Sequence, residues 1–395
     1  MTVHIVGAGL AGLSAALRTA DAGLDVVLHE AQSRPGGRCQ SWFDPVLERV
    51  IDNGSHLAAG GNRALFRFLS LAGAGDRLTP VDGALVLTDL ESGRSWPVRP
   101  LTLLPSIIAA LPALFSPSDA TVADRLGRSR HWRDFWEPFT VSALNTPAKD
   151  ASARLLQAVL ARTLWRGMKA SSPYRVRESL SDSFITPALD ALNIRGGTLR
   201  LGHPLRAIDI DGAWATGLIF DDEEIRLSRH DRVILATPWR SARRLLPMIP
   251  NLPGETIVNA YFRLDGPPPI MPANGMLGLI GGDAHWLFLR GDVLSVTVSA
   301  ASALAERPVG EIAERLWRDC AKALKLERPL PAFRVVRQAR ATLFHSPSAD
   351  RRRPAPEILD NLTLAGDWIA TGLPCTMEGA VLSGERAARR AMLRS

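Results

Sequence analysis

Apolar and polar positions alternate at the start of the chain in a strand–turn–helix–strand order. Val3-His4-Ile5-Val6 is a short apolar run, Gly7 to Gly12 is a glycine turn, and Leu13 to Ala22 carries apolar residues at helical spacing. Gly23 follows as a helix terminator, because glycine takes positive φ without a Cβ clash. Val26-Val27-Leu28 is a second buried run that stops at Glu30. Two such strands joined by a helix predict a right-handed βαβ unit with parallel strands.

Two distant segments carry the same buried-strand pattern. Asp231 to Pro238 (DRVILATP) runs into a turn, and Asn361 to Asp367 (NLTLAGD) precedes a long helix from about Thr376. The predicted fold class is therefore α/β: a Rossmann-type domain built from discontinuous segments, with an inserted α+β substrate domain. The expected division is 1–97, 191–245 and 345–395 for the first, 98–190 and 246–344 for the second. Pro267–Pro269 and Pro329–Pro331 read as loops. Leu101 to Phe115 carries no charge, yet it is too short for a membrane span and is interrupted by Pro105 and Pro112. Either a buried helix pair or an element dipping into one leaflet fits it. The second reading draws on the basic stretch Arg125–Arg133 with Trp132, Phe135 and Trp136 nearby.

Composition narrows the classes. At 395 residues, two domains are the prior, and 46% hydrophobic with 22% charged residues is a globular balance. The net charge of +7 suits an anionic partner or surface, but no nucleic-acid motif accompanies the scattered arginines, so nucleic acid is not expected as a partner. Cys39, Cys320 and Cys375 form no C-x-x-C pair, which fits a reducing cytoplasm, and no metal site is expected. With a strand beginning at Thr2, no signal peptide is expected.

The turn carries the first chemistry. Gly7-Ala8-Gly9-Leu10-Ala11-Gly12 is G-x-G-x-x-G between a strand and a helix. Its first glycine makes the turn, its second admits a pyrophosphate and its third lets helix pack on strand. Glu30, followed by Ala31, ends the second strand where a ribose hydroxyl needs an acceptor, which disfavours a 2′-phosphate. In Arg34-Pro35-Gly36-Gly37-Arg38, the glycines allow close backbone approach and Arg38 is placed to pair with a phosphate.

This R-x-G-G-R run resembles the flavin amine oxidase and carotenoid desaturase superfamily. So does Ala365-Gly366-Asp367, where the resemblance puts the aspartate near a ribityl chain. Thr376-Met377-Glu378-Gly379-Ala380-Val381 also resembles it, opening a helix whose positive end would face a flavin. The resemblance implies FAD, held by Gly7, Gly9, Leu10, Ala11, Gly12, Glu30 and Ala31, then by Gly36, Gly37 and Arg38. It adds Asn53, Gly54, Ser55, Leu205, Ala236 and Thr237 from the middle of the chain. Gly366, Asp367, Thr376, Met377, Glu378 and Ala380 complete the site.

Further segments are similar to the hydroxysqualene dehydroxylases, squalene-associated FAD enzymes of bacterial hopanoid synthesis. These are Ile51-Asp52-Asn53-Gly54-Ser55-His56, Ala143-Leu144-Asn145-Thr146-Pro147 with Ala151-Ser152-Ala153, and Gly366-Asp367-Trp368 followed by Thr371-Gly372-Leu373-Pro374. Ser55 departs from the family, where glutamine is expected. The resemblance implies reductive removal of an allylic hydroxyl from a hydrophobic triterpene, with an electron donor the sequence does not name and a place on the cytoplasmic face of the inner membrane. Such chemistry needs a proton donor and a dry apolar pocket.

For catalysis the expected residues are His56, Asp52 and Glu378. Each has a plainer reading: a structural histidine, a turn former before Asn-Gly, and a residue serving the cofactor or helix start. His56, Asn145, Thr146, Leu373 and Pro374 are expected to line the substrate pocket; Trp239, Trp286 and Trp368 read first as core, with a place on a channel wall as the alternative. Alternatives are an amine oxidase, a carotenoid-type desaturase, or a flavin protein without turnover. Only Tyr174 and Tyr261 are available for an aromatic amine cage, and Thr376 stands where an aromatic is common, which speaks against the first.

Overall fold

A computed structural model describes residues 1–98, 105, 108 and 119–393. Apart from Pro105 and Ile108, the charge-free stretch 101–115 and its two readings lie outside the described residues.

A five-stranded, all-parallel sheet organises the cofactor side. Its order is Thr198–Arg200, Asp25–His29 (β2), Thr2–Val6 (β1), Arg232–Leu235 and Leu362–Leu364. Val3, Ile5, Leu28, Ile234 and Leu364 are all fully buried, as the near-continuous apolar runs of a sheet covered on both faces require. Helix α1 (Leu10–Asp21) packs against the last helix, Met377–Leu393. Their approach depends on Gly384, where a Cβ would stand 2.1 Å from the Ala11 carbonyl oxygen. Ser14 Oγ donates to Val381 O at 2.9 Å across the same contact.

A seven-stranded mixed sheet forms the other side, ordered Phe333–Leu343, Gly254–Arg263, Val293–Val298, Trp286–Arg290, Met276–Ile280, Leu85–Asp89 and Ser95–Val98. The helix Val309–Leu324 lays Ile312, Leu316, Trp317 and Cys320 onto its core. A separate helical cluster is built from Val122–Leu126, Glu137–Leu144 and Ala153–Arg162.

Two segments fall on the other side of the expected division. Leu85–Asp89 and Ser95–Val98 hydrogen-bond into the seven-stranded sheet, with Leu87 registered against Gly278. Conversely, Leu180, Phe184, Ile185 and Ala188 pack into the core beneath α1. Hydrophobic pattern specifies that a segment is buried, not which sheet it is buried against. The aromatic reading shifts for the same reason: Trp136 is fully buried and Phe135 packs with it in the helical cluster, so neither is free to meet a lipid surface. Trp239 and Trp368 are core as well, and Trp286 donates from Nε1 to Ser142 Oγ. Among the described residues no helix is long and apolar enough to cross a membrane.

Candidate active site

The glycine turn at Gly7–Gly12 is built by exclusion. Gly7 sits at φ +107°, and a Cβ on it would lie 2.7 Å from the Ala236 carbonyl oxygen. A Cβ on Gly12 would lie 1.8 Å from the Gly7 carbonyl oxygen, so helix and turn can touch only through glycine. Gly9 differs: a Cβ on it would have nothing nearer than Gly36 O, at 4.0 Å. That gap is space the chain leaves unfilled where a pyrophosphate needs to approach backbone. Gly36 (φ +113°) and Gly37 (φ +59°) bring a second glycine turn beside it, with Gly36 N donating to Ala8 O at 2.8 Å.

Glu30 lies at the mouth of this cradle. Its Oε2 accepts from Ala8 N at 2.8 Å and its Oε1 from Gln32 N at 2.9 Å, while its carbonyl accepts from His203 N, which brings the loop containing Leu205 alongside. Thr237 Oγ1 is buried and has no hydrogen-bond partner among the described residues, although the Thr237 carbonyl accepts from Trp368 Nε1 at 3.0 Å. An open cradle at Gly9, an acceptor at Glu30 and an orphaned hydroxyl at Thr237 together fit a dinucleotide.

The second half of the cleft is tied to the first by charge. Arg38 donates from Nη2 to Asp367 Oδ1 at 2.7 Å and from Nη1 to Ala341 O. Burial works against its charge, but Asp367 more than offsets this and raises the guanidinium pKa. Within the protein the partner of Arg38 is the carboxylate that stands at the other end of the cleft. Asn53 Nδ2 donates to Arg38 O at 3.0 Å and Gln338 Oε1 at 3.2 Å, holding the same loop.

Arg353 carries the rest, and nothing in the sequence singles it out. Its side chain is wholly buried and donates to the carbonyls of Asp367, Trp368, Ile369 and Leu373, fixing the loop that presents Asp367. Its one side-chain partner is Asp350, at 3.5 Å, and no local pattern marks a guanidinium spent mostly on backbone oxygens. Thr376 caps the last helix, with its Oγ1 accepting from Gly379 N at 3.1 Å and donating to Pro374 O at 3.3 Å. Met377 and Ala380 pack into the α1 core from that first turn.

The three expected catalytic residues separate. Glu378 Oε1 accepts from Ala64 N at 3.1 Å and Oε2 from Leu65 N at 2.9 Å, so it caps helix α2 (Arg63–Leu71) from outside. Both oxygens hold α2 amides, and burial raises its pKa against these two hydrogen bonds. Asp52 is likewise engaged: Oδ1 accepts from Ser41 Oγ at 2.6 Å and Leu180 N at 2.8 Å, and Oδ2 pairs with Arg290 at 3.2 Å. It is a joint between segments, because both of its oxygens already have donors.

His56 stays available. Its Nδ1 lies 2.9 Å from Gly54 O. A carbonyl only accepts, so Nδ1 carries the hydrogen and the neutral ring presents Nε2 as an acceptor. Burial lowers its pKa, against the Gly54 hydrogen bond and Asp52 and with help from Arg38. The turn beneath it is braced by Tyr261, whose hydroxyl accepts from Gly54 N at 2.8 Å and donates to Asp52 O. Ser55 faces away from the ring's hydrogen bond, sharing a 2.8 Å hydrogen bond with Ser295.

Asn145 and Thr146 are corrected as pocket residues. Asn145, at φ +46°, donates to Thr342 Oγ1 at 2.9 Å and accepts from Ala300 N at 2.7 Å. Thr146 Oγ1 accepts from His345 N at 2.9 Å, and both residues are buried. They lock the helical cluster to the ends of the large sheet. Leu373 is also core, while His345 Nε2 accepts from Cys375 N at 2.9 Å beside it.

Comparisons with known proteins agree along the whole chain. A model of the flavin containing amine oxidoreductases matches residues 10–191 and 116–392. The sequence is 38% identical to hydroxysqualene dehydroxylase of Rhodopseudomonas palustris, over 98% of this chain and 97% of that relative. It is 36% identical to the enzyme of the same name from Sinorhizobium fredii, over 99% and 98%. Among solved structures, an oxidoreductase from Methanosarcina mazei superposes with a TM-score of 0.75 at 17% identity, covering 97% of this chain and 99% of that one; this likeness concerns the fold alone.

Proposed function

The chain belongs to the flavin-containing amine oxidoreductase family, within its hydroxysqualene dehydroxylases, and from that membership we propose that it converts hydroxysqualene to squalene by reductive dehydroxylation. It is an FAD-dependent oxidoreductase. The observation that carries the reading is identity of 38% sustained over nearly both full lengths, joined to a cradle that is open at Gly9.

FAD, when bound and reduced, supplies a hydride to carbon while the C–O bond breaks and the hydroxyl leaves, with one added proton, as water. Gly9 leaves room for its pyrophosphate, with the Gly36–Gly37 turn beside it, and Glu30 would accept from its ribose. Asp367 would receive the ribityl hydroxyls, held in place by Arg38 and Arg353, and Thr237 offers an unspent hydroxyl. His56, neutral and with Nε2 free to accept, orients the substrate hydroxyl; it does not protonate it, so the proton enters with solvent. The parallel sheet with α1, Leu180–Ile194 and the last helix makes the cofactor unit. The seven-stranded sheet and the helical cluster make the substrate unit.

An amine oxidase fits less well, because Tyr261 is spent under the Gly54 turn and Tyr174 packs edge-on against Phe66. The substrate is a hydrophobic triterpene. We infer that the enzyme meets it at the cytoplasmic face of the inner membrane, to which a chain of net charge +7 is drawn, and that a separate donor re-reduces the flavin. Anaerobic incubation of the reduced holoenzyme with hydroxysqualene should yield squalene in the organic extract. Absence of squalene, with amine-dependent peroxide release in air, would overturn the assignment.

A further inference from the structure

Arg63, Arg67, Arg162 and Arg166 line one cavity of about 270 Å³ between the start of α2 and the helix Ala153–Arg162. Arg67 is neutralised by Glu385 at 2.6 Å. Arg63, Arg162 and Arg166 have no carboxylate within 4.0 Å among the described residues; Arg166 Nε reaches only the Ala161 carbonyl, at 3.2 Å. The one carboxylate in the lining is Glu378, and both of its oxygens already serve the amides of Ala64 and Leu65. Three positive charges thus face a recess with one shared counter-charge.

Arg162 shows the consequence. Burial lowers its pKa; Glu378 resists, and the like charges of Arg166 and Arg386 add to the lowering. Holding guanidinium groups together in a partly enclosed space is unfavourable unless an anion joins them. We propose that this cavity is a binding site for a phosphate-type oxyanion, a phosphomonoester or diphosphate group, separate from the Gly9 cradle. Guanidinium forks match the paired oxygens of phosphate, and several arginines converging on one recess suit a polyanion better than a single carboxylate. The volume equals about nine waters at roughly 30 Å³ each, enough for a diphosphate group with little else.

The phosphate can belong to a free metabolite or to a lipid headgroup, and the test separates them. Holoenzyme would be titrated calorimetrically with inorganic pyrophosphate at low salt, and in parallel sedimented with phosphatidylcholine vesicles with and without phosphatidate. Each arm would be repeated with the double variant Arg162→Gln/Arg166→Gln and with Arg63→Gln. The expected result is one pyrophosphate site, weakened by raised salt and about tenfold or more in the variants. Phosphatidate-dependent sedimentation that needs Arg162 and Arg166, without pyrophosphate binding, assigns the headgroup as the source. A double variant that has lost its FAD or its melting temperature is set aside in favour of Arg63→Gln, at an exposed helix start. No binding in either arm, or binding equal in wild type and Arg63→Gln, overturns the proposal. Squalene formation is scored separately, so either reading can fail alone.

Discussion

Arg38 and Asp367 are 329 positions apart in the chain, yet Nη2 of one stands 2.7 Å from Oδ1 of the other. The Asp367 side chain is buried and that of Arg38 is 38% exposed, so removing the arginine strands a carboxylate that water reaches poorly. Arg38→Ala should cost about 2 kcal/mol, below the fully buried case because Arg38 is partly solvated. FAD content should fall with it, since Asp367 loses its orientation. Melting of the apo and FAD-loaded forms checks both; unchanged FAD occupancy would detach the pair from the cofactor.

Gly9 and Gly12 make opposite predictions although both belong to one motif. Gly9 has φ −79°, which any residue adopts, and its Cβ would have nothing nearer than 4.0 Å. Gly9→Ala should therefore leave apo stability unchanged and weaken FAD by about tenfold or more, because the methyl occupies the pyrophosphate's approach. In Gly12→Ala the Cβ meets the Gly7 carbonyl oxygen at 1.8 Å, so helix and turn must part and the protein should not accumulate folded. Apo melting together with FAD titration distinguishes the two.

The contrast shows what was legible in the sequence. Elements whose logic is local were readable: β1, α1, β2 and the strands at Arg232–Leu235 and Leu362–Leu364 follow from apolar runs and glycine signals. What depends on a partner far along the chain was not. Glu378 reads as an acid in its own segment and becomes a cap only when Ala64 arrives, and Arg353 gains its role only when four distant carbonyls surround it. Asn145 carried one local clue, since asparagine tolerates the left-handed conformation it adopts at φ +46°.

Glu378 gives a test of cap against acid. Glu378→Ala leaves the Ala64 and Leu65 amides without acceptors and should cost about 1–2 kcal/mol, whereas Glu378→Gln keeps one oxygen and should cost less. Turnover per bound FAD should change little in the Gln variant. A large loss of single-turnover rate at full FAD occupancy, with melting unchanged, would return Glu378 to chemistry.

Buried histidines should make the fold acid-sensitive well above the carboxylate range. His29 is fully buried; burial first, then His4, His203 and Arg200, push its pKa from 6.5 to about 3. His345 is pushed to about 3, again by burial first and then by Arg353. Their folded pKa values lie below the unfolded one, so the unfolded chain binds more protons between about pH 6.5 and 3, and stability falls as pH falls through that window. At pH 5 the unfolded His29 is 1.5 units below its own pKa, which at about 1.4 kcal/mol per unit removes about 2 kcal/mol relative to pH 7. Asp44 and Asp89, held low by Arg334 and Arg133, contribute only further down. Denaturant melts at pH 7 and 5 should therefore show a loss that shrinks by about 2 kcal/mol in His29→Gln. An equal loss in wild type and variant would mean that His29 titrates normally and that water reaches its ring.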